Sequence, residues 1–405
     1  LVVSAPWLTI IGLGEDGRAG LSPAAIAHLA QARLVVGGAR HLALVAPLAA
    51  ETLCWPSPMD AAYPHILARR GENVVVLASG DPFFYGVGSL LARFLAPEEM
   101  LCLPAPSAFS LVAARLGWAQ QDCALLTLHG RPLEKIIPHL HDGGKIIALS
   151  WDGDTPRKLA GLLEKRGFGA SRLTVCEHLG GPKERVRATL ARDFALEEIA
   201  ALNTVALDLI ADRDALILPR APGLPDDCFE HDGQITKSEF RALTLSALAP
   251  RRGELLWDIG AGSGSVAIEF MLADEANTAI AVESNPARAE RIGRNALALG
   301  TPGLRVVAGE APKALAGLPS PHKIFVGGGS TVPGVLEAAL DALRPGGLLV
   351  VNGVTLETQS QLVERHAALG GRLIQAQIAR AEKLGGFFAF RPALPIVQWI
   401  YSKPC

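Results

Sequence analysis

Three observations predict an α/β protein of two domains. Short apolar runs ending in glycine recur along the chain, helical patterns follow them, and an aperiodic proline-rich segment, Pro219 to Asp232, separates two such series. Strand, glycine turn and helix in repetition is the pattern of sheets covered by helices. The chain has 405 residues, enough for about two or three domains, each with its own core.

The first run is Leu8 to Gly17, LTIIGLGEDG. Gly12, Gly14 and Gly17 have GxGxxG spacing, but a dinucleotide site needs an acid about 20 residues later, and there Ala32 to Gly38 is an apolar strand without a carboxylate. Between them, Ser22 as N-cap and Pro23 as first helical residue open a helix over Pro23 to Gln31. Asn73 to Leu77 is the next buried strand, and it empties into ASGDPFFYGVG, Ala78 to Gly88. Pro82 fixes the chain just after Asp81, while Gly80, Gly86 and Gly88 permit tight turns. Phe83, Phe84 and Tyr85 suit a pocket wall or packing against a neighbouring helix equally well.

Lys145 to Leu149, Leu173 to Cys176 and Thr204 to Leu209 read as further strands, with a helix opened by Thr155 and Pro156 and closed by Gly167. Glu184, Arg185 and Arg187 read as a solvated face, and His129 and Arg131 either meet an acidic substrate or cap a polar loop. After the proline-rich segment, read as a linker, Thr236 to Ala249 is expected to be helical. Thr236 and Glu239 have capping-box spacing, and Phe240, Leu243, Ala247 and Leu248 form the apolar face.

The most informative stretch is ELLWDIGAGSGSVAIE, Glu254 to Glu269. The strand Leu255 to Ile259 runs into Gly260, Gly262 and Gly264 and then into a helix, so the backbone can turn sharply and approach a ligand closely. Ser265 fills the position of the third glycine in GxGxxG, which argues against NAD. The next strand, Thr278 to Val282, ends in Glu283, where a carboxylate can accept hydrogen bonds from both hydroxyls of a ribose. Asn285 and Pro286 cap a helix carrying Ile292, Ala296 and Leu299. Lys323 to Val326, Gly347 to Val351 and a C-terminal pair, Gly386 to Phe390 and Ile396 to Tyr401, are expected to complete the sheet.

Two resemblances give these motifs chemistry. GLGEDG (Gly12 to Gly17), SGDPFFYG (Ser79 to Gly86), PAPSAFS (Pro104 to Ser110) and LHGR (Leu128 to Arg131) occur in the order seen in the tetrapyrrole (corrin and porphyrin) methylase family. That resemblance implies a two-subdomain methylase fold binding S-adenosylmethionine between its subdomains through Ser79, Gly80, Asp81 and Phe84, with Phe109 and Ser110 on the following loop. This chain reads Pro106-Ser107 where the family usually has Pro-Gly, and Phe109 stands where a small residue is usual. The second half, with DIGAGSG, Glu283, GEAP (Gly309 to Pro312) and VGGGS (Val326 to Ser330), resembles the decarboxylating precorrin methyltransferase domain of cobalamin biosynthesis. Here the resemblance implies a Rossmann-like class I fold and cofactor contacts at Thr236, Gly260, Ala261, Gly262, Ser263, Gly264, Glu283 and Ala311. It names no catalytic acid or base, and no metal ligand is expected.

Together the resemblances imply a tetrapyrrole methylase domain over residues 1–212, a linker over 213–232 and a methyltransferase and decarboxylase domain over 233–405. The first would methylate carbon 5 of a precorrin. The second would methylate carbon 15 and remove carbon dioxide from the ring C acetate. Methylation of RNA or a small metabolite, or a cofactor-binding sensor without chemistry, are the alternatives. Composition bears on these. The formal net charge is −2 and no basic stripe with interleaved aromatics occurs, so nucleic acid is not an expected partner. No apolar run approaches the roughly 18 residues of a membrane helix, and Leu1 to Gly14 lacks a leader pattern. A cytoplasmic enzyme acting on a polycarboxylate tetrapyrrole, without membrane partners and associating with itself, is the expectation. Six scattered cysteines make no CxxC pair and are expected to be reduced and mostly buried.

Overall fold

Runs of aliphatic and β-branched residues form the central strands, and the glycines at their ends turn the chain into helices. A computed structural model describes residues 6–405; residues 1–5 of the stretch read for a leader lie outside it. The chain divides into two compact units, one comprising Leu1–Leu133 and His139–Leu216, the other Glu134–Pro138 and Ile217–Cys405.

The first unit holds two five-stranded sheets. Strands β1 (Leu8–Leu13), β2 (Leu34–Gly37), β3 (Glu51–Cys54), β4 (Val74–Ser79) and β5 (Met100–Leu103) are parallel in the order β3-β2-β4-β1-β5. Strands β6 (Cys123–Thr127), β7 (Lys145–Leu149), β8 (Arg172–Glu177), β9 (Arg185–Leu190) and β10 (Asn203–Asp208) form a mixed sheet in the order β6-β7-β10-β8-β9. Ser22 caps Pro23–Gln31 as expected, its hydroxyl accepting from the Ala25 amide at 3.2 Å. The face expected to be solvated at Glu184 to Arg187 is exposed at Arg185 and also carries a set of ion pairs. Glu177, 1 % exposed, accepts from Arg185 at 2.7 Å and Arg187 at 3.1 Å, while Glu184 pairs with Arg115. A carboxylate buried on β8 requires these partners, and they come from the neighbouring strand.

In the second unit, β11 (Leu255–Ile259), β12 (Thr278–Glu283), β13 (Arg305–Ala308), β14 (Lys323–Val326), β15 (Leu348–Gly353), β16 (Arg372–Ala376) and β19 (Ile396–Ser402) form one seven-stranded sheet. Its order is β13-β12-β11-β14-β15-β19-β16, parallel except where β19 pairs with β15 and β16. Side chains alternate between its faces: Leu256 packs with Val266 and Phe270, whereas Trp257 and Ile259 pack with Leu336 and Leu362. The expected partner of β19 near Gly386 does not join this sheet. β17 (Ala379–Leu384) and β18 (Phe387–Pro392) form a separate two-stranded hairpin, and β16 takes the edge position.

The helix after the proline-rich segment spans Ser238–Leu248, one residue later than the capping box requires, with Lys237 rather than Thr236 at the N-cap and no side-chain cap. Glu239 pairs with Arg380 rather than closing a box with Thr236. Its buried face is Phe240, Arg241, Thr244, Leu245 and Leu248, and Leu243 is exposed. The segment read as a linker packs into the second unit: Leu224 and Phe229 are core residues, and the Gly223 and Leu224 amides donate to Glu269 at 2.6 and 3.0 Å. All six cysteines are unbridged, but Cys176 is the one buried; Cys54 and Cys405 are exposed. No helix among the described residues is long and apolar enough to cross a membrane. Nor do three or more His, Cys, Asp or Glu side chains among them gather as a metal site.

Candidate active sites

The strand order reverses between β11 and β14, and a crevice opens beyond the C-terminal ends of the strands at such a switch point. Here it is a cavity of about 800 Å³, within the size range of cofactor pockets. One side is made by the glycine loop after β11, by Glu283 at the tip of β12 and by Gly309 to Ala311 after β13; the segment Gly233 to Lys237 lies across it. Thr236, Gly260, Ala261, Gly262, Glu283 and Ala311 therefore line one space. Ser263 and Gly264 do not line it. Ser263 is buried with its carbonyl accepting from Asn295 at 2.9 Å, and Gly264 begins the helix Ser265–Leu272 against Ile292.

The loop's glycines have positive φ, +69° at Gly260, +60° at Gly262 and +76° at Gly264, where side chains are strained. A Cβ on Gly260 would lie 2.7 Å from the Gly328 carbonyl oxygen, so that glycine is required by the approach of two strand-end loops. Glu283 is 5 % exposed, and its two oxygens accept from the Gly262 amide at 2.8 Å and the Asn285 amide at 2.9 Å. Each oxygen keeps a lone pair, so the carboxylate holds the loop and can still accept from two hydroxyls. Below it, Asp258 accepts from the Ala267 amide at 3.1 Å. Burial, reinforced by the charge of Glu283, pushes the Asp258 carboxyl up to about 7. The cations on the rim are already engaged, Arg288 with Asp232 at 2.9 Å and Lys237 with Asp226 at 3.5 Å.

In the first unit, three motifs far apart in sequence meet at the tips of β1, β4 and β5. A Cβ on Gly12 would lie 2.0 Å from the Gly80 carbonyl oxygen and 2.5 Å from the Ala105 nitrogen, and one on Gly80 would lie 2.8 Å from the Ser107 Cα. The Gly80 amide donates to Leu13 and its carbonyl accepts from Ala105. Asp81 folds the next turn by accepting from the Phe83 amide at 2.9 Å. Phe84 lies edge-on to Phe109 at 4.9 Å, so the aromatic run both packs and remains partly exposed. Phe109 and Ser110 belong to the helix Ala108–Leu116 rather than to a loop. Phe109 is in the core, and Ser110 donates its amide to the capping hydroxyl of Ser107. Arg131 sits over the Tyr85 ring at 5.5 Å, and His129 lies beside Trp151.

Sequence reading missed the groups around Ser79. Its hydroxyl is 2.9 Å from Arg40 Nη2 and 2.8 Å from His41 Nε2, Arg40 pairs with Glu15, and Glu15 lies 3.0 Å from His178 Nδ1. Burial first, and then the Arg40 charge, lower the His41 pKa to about 4, so the imidazole is neutral; its Nε2, 2.9 Å from Arg40 Nη2, is an acceptor to which the Ser79 hydroxyl can donate a hydrogen bond. Glu15 was visible inside GLGEDG; Arg40 and His41 carry no motif. Arg241 was missed likewise, although a basic residue within an apolar helix face was a signal. Its side chain is fully buried and bonds Glu269, Asp226 and the carbonyls of Thr236 and Leu224, with its guanidinium 4.7 Å from the Phe229 ring.

Comparison with known proteins matches both halves. Residues 7–195 match the family of tetrapyrrole (corrin/porphyrin) methylases, and residues 227–403 match the precorrin methyltransferase domain. The chain is 56 % identical over 402 residues, 99 % of its length and 97 % of the relative's, to a Sinorhizobium protein named precorrin-6Y C(5,15)-methyltransferase [decarboxylating]. About half of it, 48 %, is 34 % identical to 98 % of a Salmonella typhimurium cobalt-precorrin-7 C(5)-methyltransferase. A further match, over 43 % of the chain, is 35 % identical to 93 % of a Pyrobaculum calidifontis protein named probable cobalt-precorrin-6B C(15)-methyltransferase (decarboxylating).

Proposed function

The chain belongs to the decarboxylating precorrin-6Y C(5,15)-methyltransferase family, and on that premise we propose that it methylates a precorrin at carbons 5 and 15 and decarboxylates the ring C acetate, in cobalamin biosynthesis. The observation that carries this reading is the likeness to a bifunctional relative along 99 % of the chain. S-adenosylmethionine is the methyl donor in this reading, and when bound it supplies a methyl group already attached to its leaving group.

The second unit's residues fit that cofactor. Glu283 offers two free lone pairs to ribose hydroxyls, the glycine loop presents backbone rather than side chains, and Ala311 and Thr236 complete the wall. Their work is orientation and exclusion of water, since in-line transfer to carbon needs two aligned centres more than a strong base. A reduced tetrapyrrole is an enamine nucleophile, and methylation leaves a conjugated iminium. The adjacent acetate then loses carbon dioxide as the electron pair of the breaking carbon–carbon bond neutralises that iminium. In the first unit, Ser79, Gly80, Asp81 and Phe84, with Phe109 and Ser110 behind them, are the corresponding cofactor residues, and the tight stack of Gly12, Gly80 and Ala105 supports this by bringing their motifs to one edge.

The test is the mass change of a precorrin incubated with cofactor and each unit separately. One methyl from the first unit, and one methyl with loss of carbon dioxide from the second, is the expected result. A precorrin left unchanged by the intact chain would overturn the assignment.

A further inference from the structure

The cavity of the second unit has two chemically different halves. Over β11, β12 and β13 lie the glycine loop, Glu283 and Ala311, the groups assigned above to the cofactor. Over β14, β15 and β19 the wall is apolar: Phe325, Val332, Val354, Leu394 and Ile396 line it together with glycines. Among the described lining residues of that half, Asn352 is the one with a polar side chain. It stands near the end of β15, two strands across from β11 and so on the order of 10 Å from the glycine loop's strand.

Asn352 is held in place from behind. Its Nδ2 donates to Thr244 Oγ1 at 2.9 Å, and its Oδ1 accepts from Gln398 Nε2, also at 2.9 Å, across the antiparallel pair that sets the two residues opposite each other. Thr244 is fully buried and donates in turn to the Phe240 carbonyl at 2.8 Å; Gln398 is 5 % exposed. A side-chain amide has two N–H groups and two acceptor lone pairs, and these bonds use one of each. One N–H and one lone pair are left on a fixed side chain lining an otherwise apolar wall.

We infer that Asn352 seats the carboxylate that is lost in decarboxylation, an inference that rests on the reaction assigned above. A carboxylate leaving as carbon dioxide gives up its charge, so a cation beside it would hold the reactant state more firmly than the transition state. A neutral amide orients the group through one hydrogen bond without neutralising it, and the apolar side chains beside it offer the charge no other donor. The rim cations Lys237 and Arg288 are paired with Asp226 and Asp232 and do not serve this role. Asn352 thus decides whether the methylated macrocycle also decarboxylates.

The experiment measures carbon dioxide released per methyl transferred by the full-length chain acting on its precorrin, with product masses resolved. Asn352→Leu, similar in volume, is expected to bind S-adenosylhomocysteine in the second unit within about twofold of wild type. Its product should carry the C-terminal methyl but retain the carboxyl, the ratio of decarboxylation to methylation falling at least tenfold. Should Asn352→Leu fail to fold, as judged by thermal unfolding, the isosteric Asn352→Asp decides. Its like charge should raise the KM for the precorrin at least tenfold and lower the same ratio, with S-adenosylhomocysteine affinity unchanged. A folded variant in which both steps fall equally, or neither falls, overturns the inference. If wild type itself adds no methyl, the assigned reaction fails instead, and the two failures are told apart.

Discussion

Where the second domain begins is open to a direct test. A chain cut on composition would start at residue 233, after the prolines, whereas the packing argues for a start at Ile217. Beginning at 233 removes Leu224 and Phe229, both core residues, at about 1.5–3 kcal/mol each. It also takes the Leu224 carbonyl and Asp226 from Arg241, which is fully buried, at about 1.5–3 kcal/mol for each charged hydrogen bond. These sum to roughly 6–12 kcal/mol, against about 5–15 kcal/mol for the whole stability of a domain. Even half of it, allowing for coupling between neighbours, is a large fraction. We propose that residues 217–405 fold as a unit and bind cofactor, and that residues 233–405 are unfolded or partly folded at 25 °C. Urea unfolding followed by circular dichroism, with S-adenosylhomocysteine titrated into both fragments, measures this. Equal unfolding midpoints would refute the reasoning, because Arg241 and its partners would then contribute nothing to the fold.

Glu283→Ala should weaken cofactor binding to the second unit by about 1.5–3 kcal/mol, tenfold or more, and leave the first unit unaffected; calorimetry on residues 217–405 would remove Glu283 from the site if affinity did not change. Gly262→Val places a branched side chain against the Gln234 carbonyl, 3.1 Å from where its Cβ would lie, and should abolish one methyl addition together with loss of carbon dioxide. Asp81→Ala should impair only the other methyl, and decarboxylation persisting in a folded Gly262→Val chain that adds no C-terminal methyl would sink the coupling of the two steps. Asp258 gives a pH dependence. Its carboxyl is raised from 3.8 to about 7 in the folded state, so its contribution to stability is fully present below about pH 4, declines as pH rises and is gone above about pH 7. Asp258→Asn keeps an oxygen for the Ala267 amide and should lose that decline, so denaturation midpoints of wild type and variant that run parallel from pH 4 to 8 would refute it.

By itself, the sequence determined the inner strands, the glycine turns and several helix starts, because these depend on neighbours a few residues away; the edge strands β3, β5, β6, β9, β13 and β16 were not read from it. Leu255–Ile259 and Lys145–Leu149 are strands as read, and Ser22 and Asn285 cap the helices expected of them. It also carried the family, since motifs that shape a backbone around a ligand survive as local strings. Only the tertiary structure decided what depends on residues distant in the chain. Arg185 and Arg187 read only as solvated cations, but β9 pairs with β8 and brings them to the buried Glu177. The proline-rich segment looks like a linker until Arg241, lying on a later helix, binds its carbonyl at Leu224. Thr236 looks like a cap until that same guanidinium takes its carbonyl and the helix begins two residues on. Asn352 has no motif, and its character comes from Thr244 and Gln398, 108 and 46 residues away. Local sterics and hydrogen bonds are written in the order of residues, but the desolvation of a charge or an amide is set by whatever the fold packs against it.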